Sequence, residues 1–224
     1  MIRDFIDLFY PKVCAGCDRF LLASEYVICT RCRHEIPLTN HHLNRKNEAF
    51  QKFYGKLPVE YAGAMVWFHK KGIVQEMIHK LKYKGQQDIG NAIGYWYAPY
   101  LSNLRQTVDA IIPVPLHPKK QRQRGYNQVE TFGKALSETL NIAYNDRLLV
   151  RNTYANSQTK KNRSDRADNS QSVFDISGIP EETGQHYLIV DDVLTTGATL
   201  EACGRALLKI PQTRLSIACI AMTE

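Results

Sequence analysis

The sequence predicts an α/β fold: a parallel sheet flanked by helices, preceded by a small cysteine-rich arm. Three observations lead there. VDAIIPVP at 108–115 and YLIVDD at 187–192 are short, continuous apolar runs, the pattern of strands buried on both faces. These runs alternate with stretches of helical periodicity, and that succession implies βαβ units covered on both sides. Cys14, Cys17, Cys29 and Cys32 form two Cys-x-x-Cys pairs ahead of the first strand.

The elements follow in order. Ile2, Phe5, Ile6 and Phe9 stand at helical spacing in residues 1–12, and Pro11 ends that short amphipathic helix. After the cysteines, the polar stretch 33–58 reads as a linker with one helical turn, and His41 and His42 are expected in a solvated loop. YAGAMVWF at 61–68 is a strand. Ile73, Val74, Met77, Ile78 and Leu81 line one face of a helix closed by Gly85. Lys80, Lys82 and Lys84 fall at its end, where the helix dipole already favours lysine; a phosphate or nucleic-acid contact is the alternative reading. A second helix is expected over 88–104, with Ile89, Ile93, Trp96 and Tyr97 inward. The strand VDAIIPVP then opens into a basic loop, LHPKKQRQRGYNQ, and a helix of about 127–140. LLVR at 148–151 is a short strand, 152–172 a long polar loop or flap, and YLIVDD a buried strand. ATLEACGRALLK is a helix and TRLSIACIAMT the last strand. Two domains are expected, an arm and linker over 1–57 and the α/β unit over 58–224.

Composition narrows the class of function. A chain of 224 residues with 44% hydrophobic content builds one ordinary core and a small accessory piece. No stretch approaches the ~20 apolar residues of a membrane helix. The N-terminus mixes acids into its apolar positions and lacks a signal-peptide core, so a cytoplasmic location is expected. The net charge of +7 suits an anionic partner: a phosphate ester, nucleic acid or a membrane surface met peripherally. Cys203 and Cys219, isolated among apolar neighbours, read as small buried hydrophobes.

Each Cys-x-x-Cys turn can bite a tetrahedral ion. Two such turns, separated by eleven residues, close a four-thiolate site with no position left open, which is the pattern of structural zinc. Disulfides are disfavoured in a chain without a secretion signal. The zinc would fix the arm for contact with DNA or a protein partner.

LIVDDVLTTGATL at 188–200 carries the chemistry. Asp191 and Asp192 follow the apolar strand, and Thr195, Thr196, Gly197, Ala198 and Thr199 run into the next helix. Amides at a helix N-terminus, with threonine hydroxyls added, make a cradle for a phosphate monoester. Gly197 lets the backbone approach the ligand closely. Two carboxylates beside a phosphate would not bind it; they would accept hydrogen bonds from sugar hydroxyls or help hold a divalent cation. A ribose 5-phosphate satisfies both halves. In parallel sheets ligands lie beyond the carboxyl ends of the strands, where the loops after VDAIIPVP and YLIV both emerge.

These residues closely match the phosphoribosyl pyrophosphate (PRPP) motif of type I phosphoribosyltransferases, with Ala198 standing where many members have a second glycine. IIPVPLHPKKQRQRGYNQ, the paired cysteine turns, LKYKG at 81–85 and the spacing Gln158, Arg166, Asn169, Phe174 resemble the ComF family of competence proteins. The resemblance implies a type I phosphoribosyltransferase-like sheet that binds PRPP with Mg²⁺ and displaces pyrophosphate, and a role in the uptake of DNA. It implies that Val114, Pro115 and Leu116 form the pyrophosphate loop, and that Arg122, Arg124 and the flap residue Arg166 supply positive charge around it. Dimers are common in that superfamily, and competence-machinery proteins become candidate partners. The acceptor and any general base stay unassigned; His69 and His117 are nearest and read as structural. A second reading is a non-catalytic factor that binds single-stranded DNA and keeps the PRPP pocket as a sensor, although no aromatic platform clusters with the basic loops in the sequence.

Overall fold

A computed structural model of the chain describes residues 11–152, 173–178 and 183–224. The expected N-terminal helix and the polar flap, with Gln158, Arg166 and Asn169, lie outside the described residues. Within them, strands β1 (Tyr61–Trp67), β2 (Ala110–Pro113), β3 (Ala143–Tyr144), β6 (His186–Leu194) and β7 (Arg214–Met222) form one sheet. Its order is β1-β7-β6-β2-β3, with every pairing parallel. β4 (Leu149–Arg151) and β5 (Phe174–Ile176) make a separate antiparallel ribbon, so LLVR does not join the main sheet.

The helices are α1 (Thr30–Glu35), α2 (Glu48–Gln51), α3 (Ile73–Tyr83), α4 (Asp88–Tyr97), α5 (Pro118–Arg124), α6 (Glu130–Leu140) and α7 (Ala198–Leu207). They divide between the two faces of the sheet. Met77, Leu81, Ile93 and Leu136 of α3, α4 and α6 pack with Leu188, Val190 and Ile220 in one apolar cluster. Leu200, Cys203 and Leu207 of α7 pack with Ile189, Ile217 and Cys219, and with Phe53 and Leu57, in the other. Burying each large side chain there contributes roughly 1.5–3 kcal/mol, and these two layers hold the strand ends in place. Cys203 and Cys219 are fully buried, as small hydrophobes would be. No helix among the described residues is long and apolar enough to cross a membrane.

The structure corrects four expectations. The basic loop is largely helix: Pro118 opens α5, the Nδ1 of His117 accepts from the amide of Lys119 at 3.1 Å, and Gly125 closes it at φ +83°. Arg122 and Arg124 therefore sit on a helix rather than on a loop. The helix expected over 88–104 passes at Ala98 into a 3₁₀ segment, Ala98–Leu104, where Pro99 has no amide to continue the α ladder. His41 is buried rather than solvated; its Nδ1 accepts from the amide of Ala64 at 3.2 Å. β6 continues through Leu194, two residues past the acids, because Val193 and Leu194 still pair with Ala221 and Met222.

Candidate functional site

Alternation along β6 separates the two acids. Leu188 and Val190 face the layer of α3, α4 and α6, whereas Ile189 faces α7. Asp192 continues the first series and Asp191 the second. Lys82 of α3 meets Asp192 accordingly, its Nζ 2.9 Å from Oδ1. Asp192 is 5% exposed, and its Oδ2 is buried with no hydrogen-bond partner among the described residues. An orphaned carboxylate oxygen beside an open strand end fits a ligand hydroxyl or a divalent cation. Asp191 accepts the amide of Asp192 on Oδ1 at 2.8 Å. Burial, and next the charge of Asp192, push Asp191 up to about 8.

The turn that follows is a strand-to-helix corner. Gly197 has φ +81°, and a Cβ built there would lie 3.1 Å from Cε1 of the Phe53 ring. Only glycine takes both the left-handed backbone and that approach without strain. Thr195, Thr196, Ala198 and Thr199 are exposed around it. The amide of Ala198 donates to Oγ1 of Thr196 at 3.4 Å. α7 begins at Ala198 with no side-chain cap, so the amides of its first turn have no intrahelical acceptor and face the turn. The positive end of the helix dipole adds to them.

The loop after β2 runs alongside. Pro113 pairs with Val190, and the amide of Val114 donates to the carbonyl of Val190 at 3.0 Å. Val114–Leu116 thus starts abreast of Asp191 and Asp192. The amide of Val114 is committed to the sheet and Pro115 has none, which leaves Leu116 as the loop's backbone donor. Asn127 holds the loop from behind, its Nδ2 donating to the carbonyl of Val114 at 3.0 Å. Arg124 donates to Oε1 of Gln128 and lies 5.4 Å from the Tyr83 ring centroid; Arg122 is exposed on α5. Tyr126 donates its hydroxyl to the carbonyl of Leu81, tying the Arg-Gly-Tyr-Asn-Gln stretch to α3.

The cysteines come together as their spacing requires. The Sγ atoms of Cys14, Cys17, Cys29 and Cys32 all lie within 4.8 Å of one another, with Cys17 and Cys29 at 3.7 Å. A tetrahedral zinc with sulfur at about 2.3 Å has edges of about 3.8 Å, so the cluster could hold such an ion. The amides of Gly16 and Cys29 donate to Sγ of Cys14 at 3.3 Å, and that of Cys32 to Sγ of Cys29 at 3.4 Å. Such donors stabilise thiolates around a metal. The knuckle is not detached: Cys14, Cys29 and Cys32 share the apolar cluster of α3 and α4.

The match with known proteins fits this geometry. A phosphoribosyl transferase domain is matched over residues 131–223, which includes the acids and the turn. Competence protein ComFC of Bacillus subtilis is 26% identical over 199 residues, covering 88% of this chain and 78% of its own. Competence protein F of Haemophilus influenzae is 24% identical over 207 residues, at 88% and 85% coverage. The chain is ComF-like. DNA utilization protein YhgH of Escherichia coli K12 extends the ComF-like match to 94% of this chain and 90% of its own, at 24% identity. An adenine phosphoribosyltransferase crystal structure aligns with 65% of this chain and 75% of its own at 14% identity, with a TM-score of 0.39. The fold is that of a type I phosphoribosyltransferase with a Cys₄ cluster at its N-terminal side.

At the carboxyl ends of β2 and β6, Val114–Leu116, the two acids and the Thr195–Thr199 turn come to the same end of the sheet, with Asp192 toward the α3 layer and Asp191 toward that of α7. Arg122 and Arg124 stand on the neighbouring helix α5, and Arg166 lies outside the described residues. Lys82, which the sequence assigned to the helix dipole ahead of a phosphate or nucleic-acid role, is paired with Asp192. Its position beside Leu81, on the turn of α3 that packs under the sheet, was the available signal, and the helix-dipole explanation masked it.

Proposed function

We propose that this end of the sheet binds a ribose 5-phosphate ester, with PRPP and Mg²⁺ as the ligand pair. The observation that carries the reading is the corner at Gly197, where a left-handed glycine opens a helix five residues after a buried carboxylate with an unused oxygen. The 5-phosphate would sit on the exposed Thr195–Thr199 turn, and the ribose hydroxyls or Mg²⁺ would take Oδ2 of Asp192. Displacing pyrophosphate develops negative charge on the leaving group and positive charge on the ribose ring. Leu116 N–H and the cations of α5 would face the leaving group, and the Asp192 carboxylate the ring, with Asp191 beside it. Mg²⁺, where bound, supplies further neutralisation of the pyrophosphate oxygens. The cysteine knuckle would hold a structural zinc. The names of its relatives support a role in competence or DNA utilization, and a cytoplasmic location is part of the proposal.

The test is calorimetry of PRPP with Mg²⁺ on the wild-type chain and on the Asp191→Asn/Asp192→Asn variant. Binding by the first and none by the second is expected; a wild-type chain that ignores both PRPP and ribose 5-phosphate refutes the reading.

One observation favours a second reading, a factor that binds single-stranded DNA. A cleft of about 390 Å³ is lined by Lys82, Tyr83, Lys120, Gln123, Arg124 and Tyr126, so aromatic and basic groups do cluster beside the site. Tyr83 is 67% exposed, as a stacking platform would be. Affinity for single strands that falls steeply between two salt concentrations, and that survives the Asp191→Asn/Asp192→Asn change, would support it.

A further inference from the structure

Lys80 is a charged residue in a place where charge is costly. It is 9% exposed, on the helix that also carries Lys82. Its Nζ reaches the carbonyl of Ala15 at 3.0 Å, the carbonyl of Cys14 at 3.5 Å and Oδ1 of Asp18 at 2.6 Å. All three acceptors belong to the first cysteine turn. The other end of α3 meets the same turn, because a Cβ on Gly16 would lie 2.6 Å from Cγ2 of Ile73. The whole helix therefore rests on the cysteine knuckle.

Two residues along an α-helix turn the side-chain direction by about 200°, so Lys80 and Lys82 project to opposite sides. Lys80 points into the knuckle and Lys82 to Asp192, at 2.9 Å. Between them, the carbonyl of Leu81 accepts the hydroxyl of Tyr126. One helical turn is thus held by the cysteine turn, the Arg-Gly-Tyr-Asn-Gln stretch and the acid of β6 together.

We infer that Lys80 is a positioning residue: α3 acts as a strut that passes the geometry of the four-cysteine knuckle on to Lys82, and so to the Lys82–Asp192 pair. The knuckle then serves the strand end as well as any surface of its own. Its consequence for ligand binding rests on the ribose-phosphate reading above; the strut itself does not.

Amine acylation read by mass spectrometry tests the strut in the full chain, with metal content measured on each sample. In the metal-loaded wild type, Asp192 shields Lys82, and exposed Lys84 serves as the internal reference. Lys80→Met is expected to raise Lys82 labelling by about fivefold relative to Lys84 while the metal stays bound, the low end of coupling between sites. Stripping the metal with a chelator should do the same, and Lys80→Arg should restore shielding. Asp18→Asn, at an exposed carboxylate, is the milder variant and should give a smaller rise with the fold intact by circular dichroism. Unchanged Lys82 labelling in Asp18→Asn and in the folded Lys80→Met chain overturns the proposal; if Lys80→Met does not fold, Asp18→Asn alone decides. A parallel titration with ribose 5-phosphate should show about a tenfold loss of affinity in metal-loaded Lys80→Met. A wild type without affinity for that ligand would refute the proposed function and leave the labelling result to judge the strut.

Discussion

Lys82 and Asp192 are bound by an ion pair of 2.9 Å across the gap between α3 and β6, with the lysine side chain 24% exposed and the aspartate side chain 7% exposed. Removing the cation strands a buried charge. Lys82→Met is expected to cost about 2–3 kcal/mol, at or below the 3–5 kcal/mol of a fully buried pair because water reaches the lysine. Adding Asp192→Asn should recover most of that loss, and urea unfolding of the four chains in the cycle measures it.

Asp191 gives the stability a pH signature. Its folded carboxyl titrates near 8, against about 3.9 when unfolded. Between those values the native chain holds a proton that the unfolded chain has released, so this group's contribution falls as pH rises through the window and is flat above it. The limiting slope is about 1.4 kcal/mol per pH unit. Asp191→Asn should lose the slope and be the more stable chain at pH 8, as thermal melts from pH 5 to 8 would record.

Gly197→Ala tests the corner. A left-handed alanine costs roughly 1–2 kcal/mol, and its methyl would press on the Phe53 ring at 3.1 Å. The expected outcome is a folded chain with a lower melting temperature and weakened binding of ribose 5-phosphate, whereas Thr195→Ala, at an exposed position, should weaken binding without shifting the melt.

Loss of the metal should be felt beyond the knuckle. Cys14, Cys29 and Cys32 pack in the same cluster as Met77, Leu81 and Ile93. Cys32→Ser, or chelation, is therefore expected to lower the melting temperature of the whole chain in one transition, with the metal released measured colorimetrically. Two separate transitions, only one of them moved, would contradict this.

Much of this was legible in the sequence for a simple reason. Strands such as VDAIIPVP and YLIV are buried on both faces, so their composition alone declares them, and the Cys-x-x-Cys turns specify their own geometry. What escaped depended on partners distant in the chain. His41 looks like a loop residue until Ala64 offers it an amide 3.2 Å away. Arg122 and Arg124 look like loop cations because a seven-residue helix lacks an apolar stripe; only its caps, His117 and Gly125, betray it. Lys82 is marked locally only by its place beside Leu81, and its partner Asp192 is more than a hundred residues further on. The spacing also left open how the two acids divide, and the alternation of β6 assigns them to different faces.

The strand order has a consequence for how the molecule comes into being. β7, which follows the other described strands in the chain, lies between β1 and β6. Until a ribosome has released Arg214–Met222, β1 has no neighbour in the sheet and β6 keeps an open edge. The nascent chain must therefore shelter β1 through most of its synthesis, and the edge of β6 until β7 follows it, which favours slow, late folding and makes chaperone dependence the expected outcome for any variant shortened within that strand.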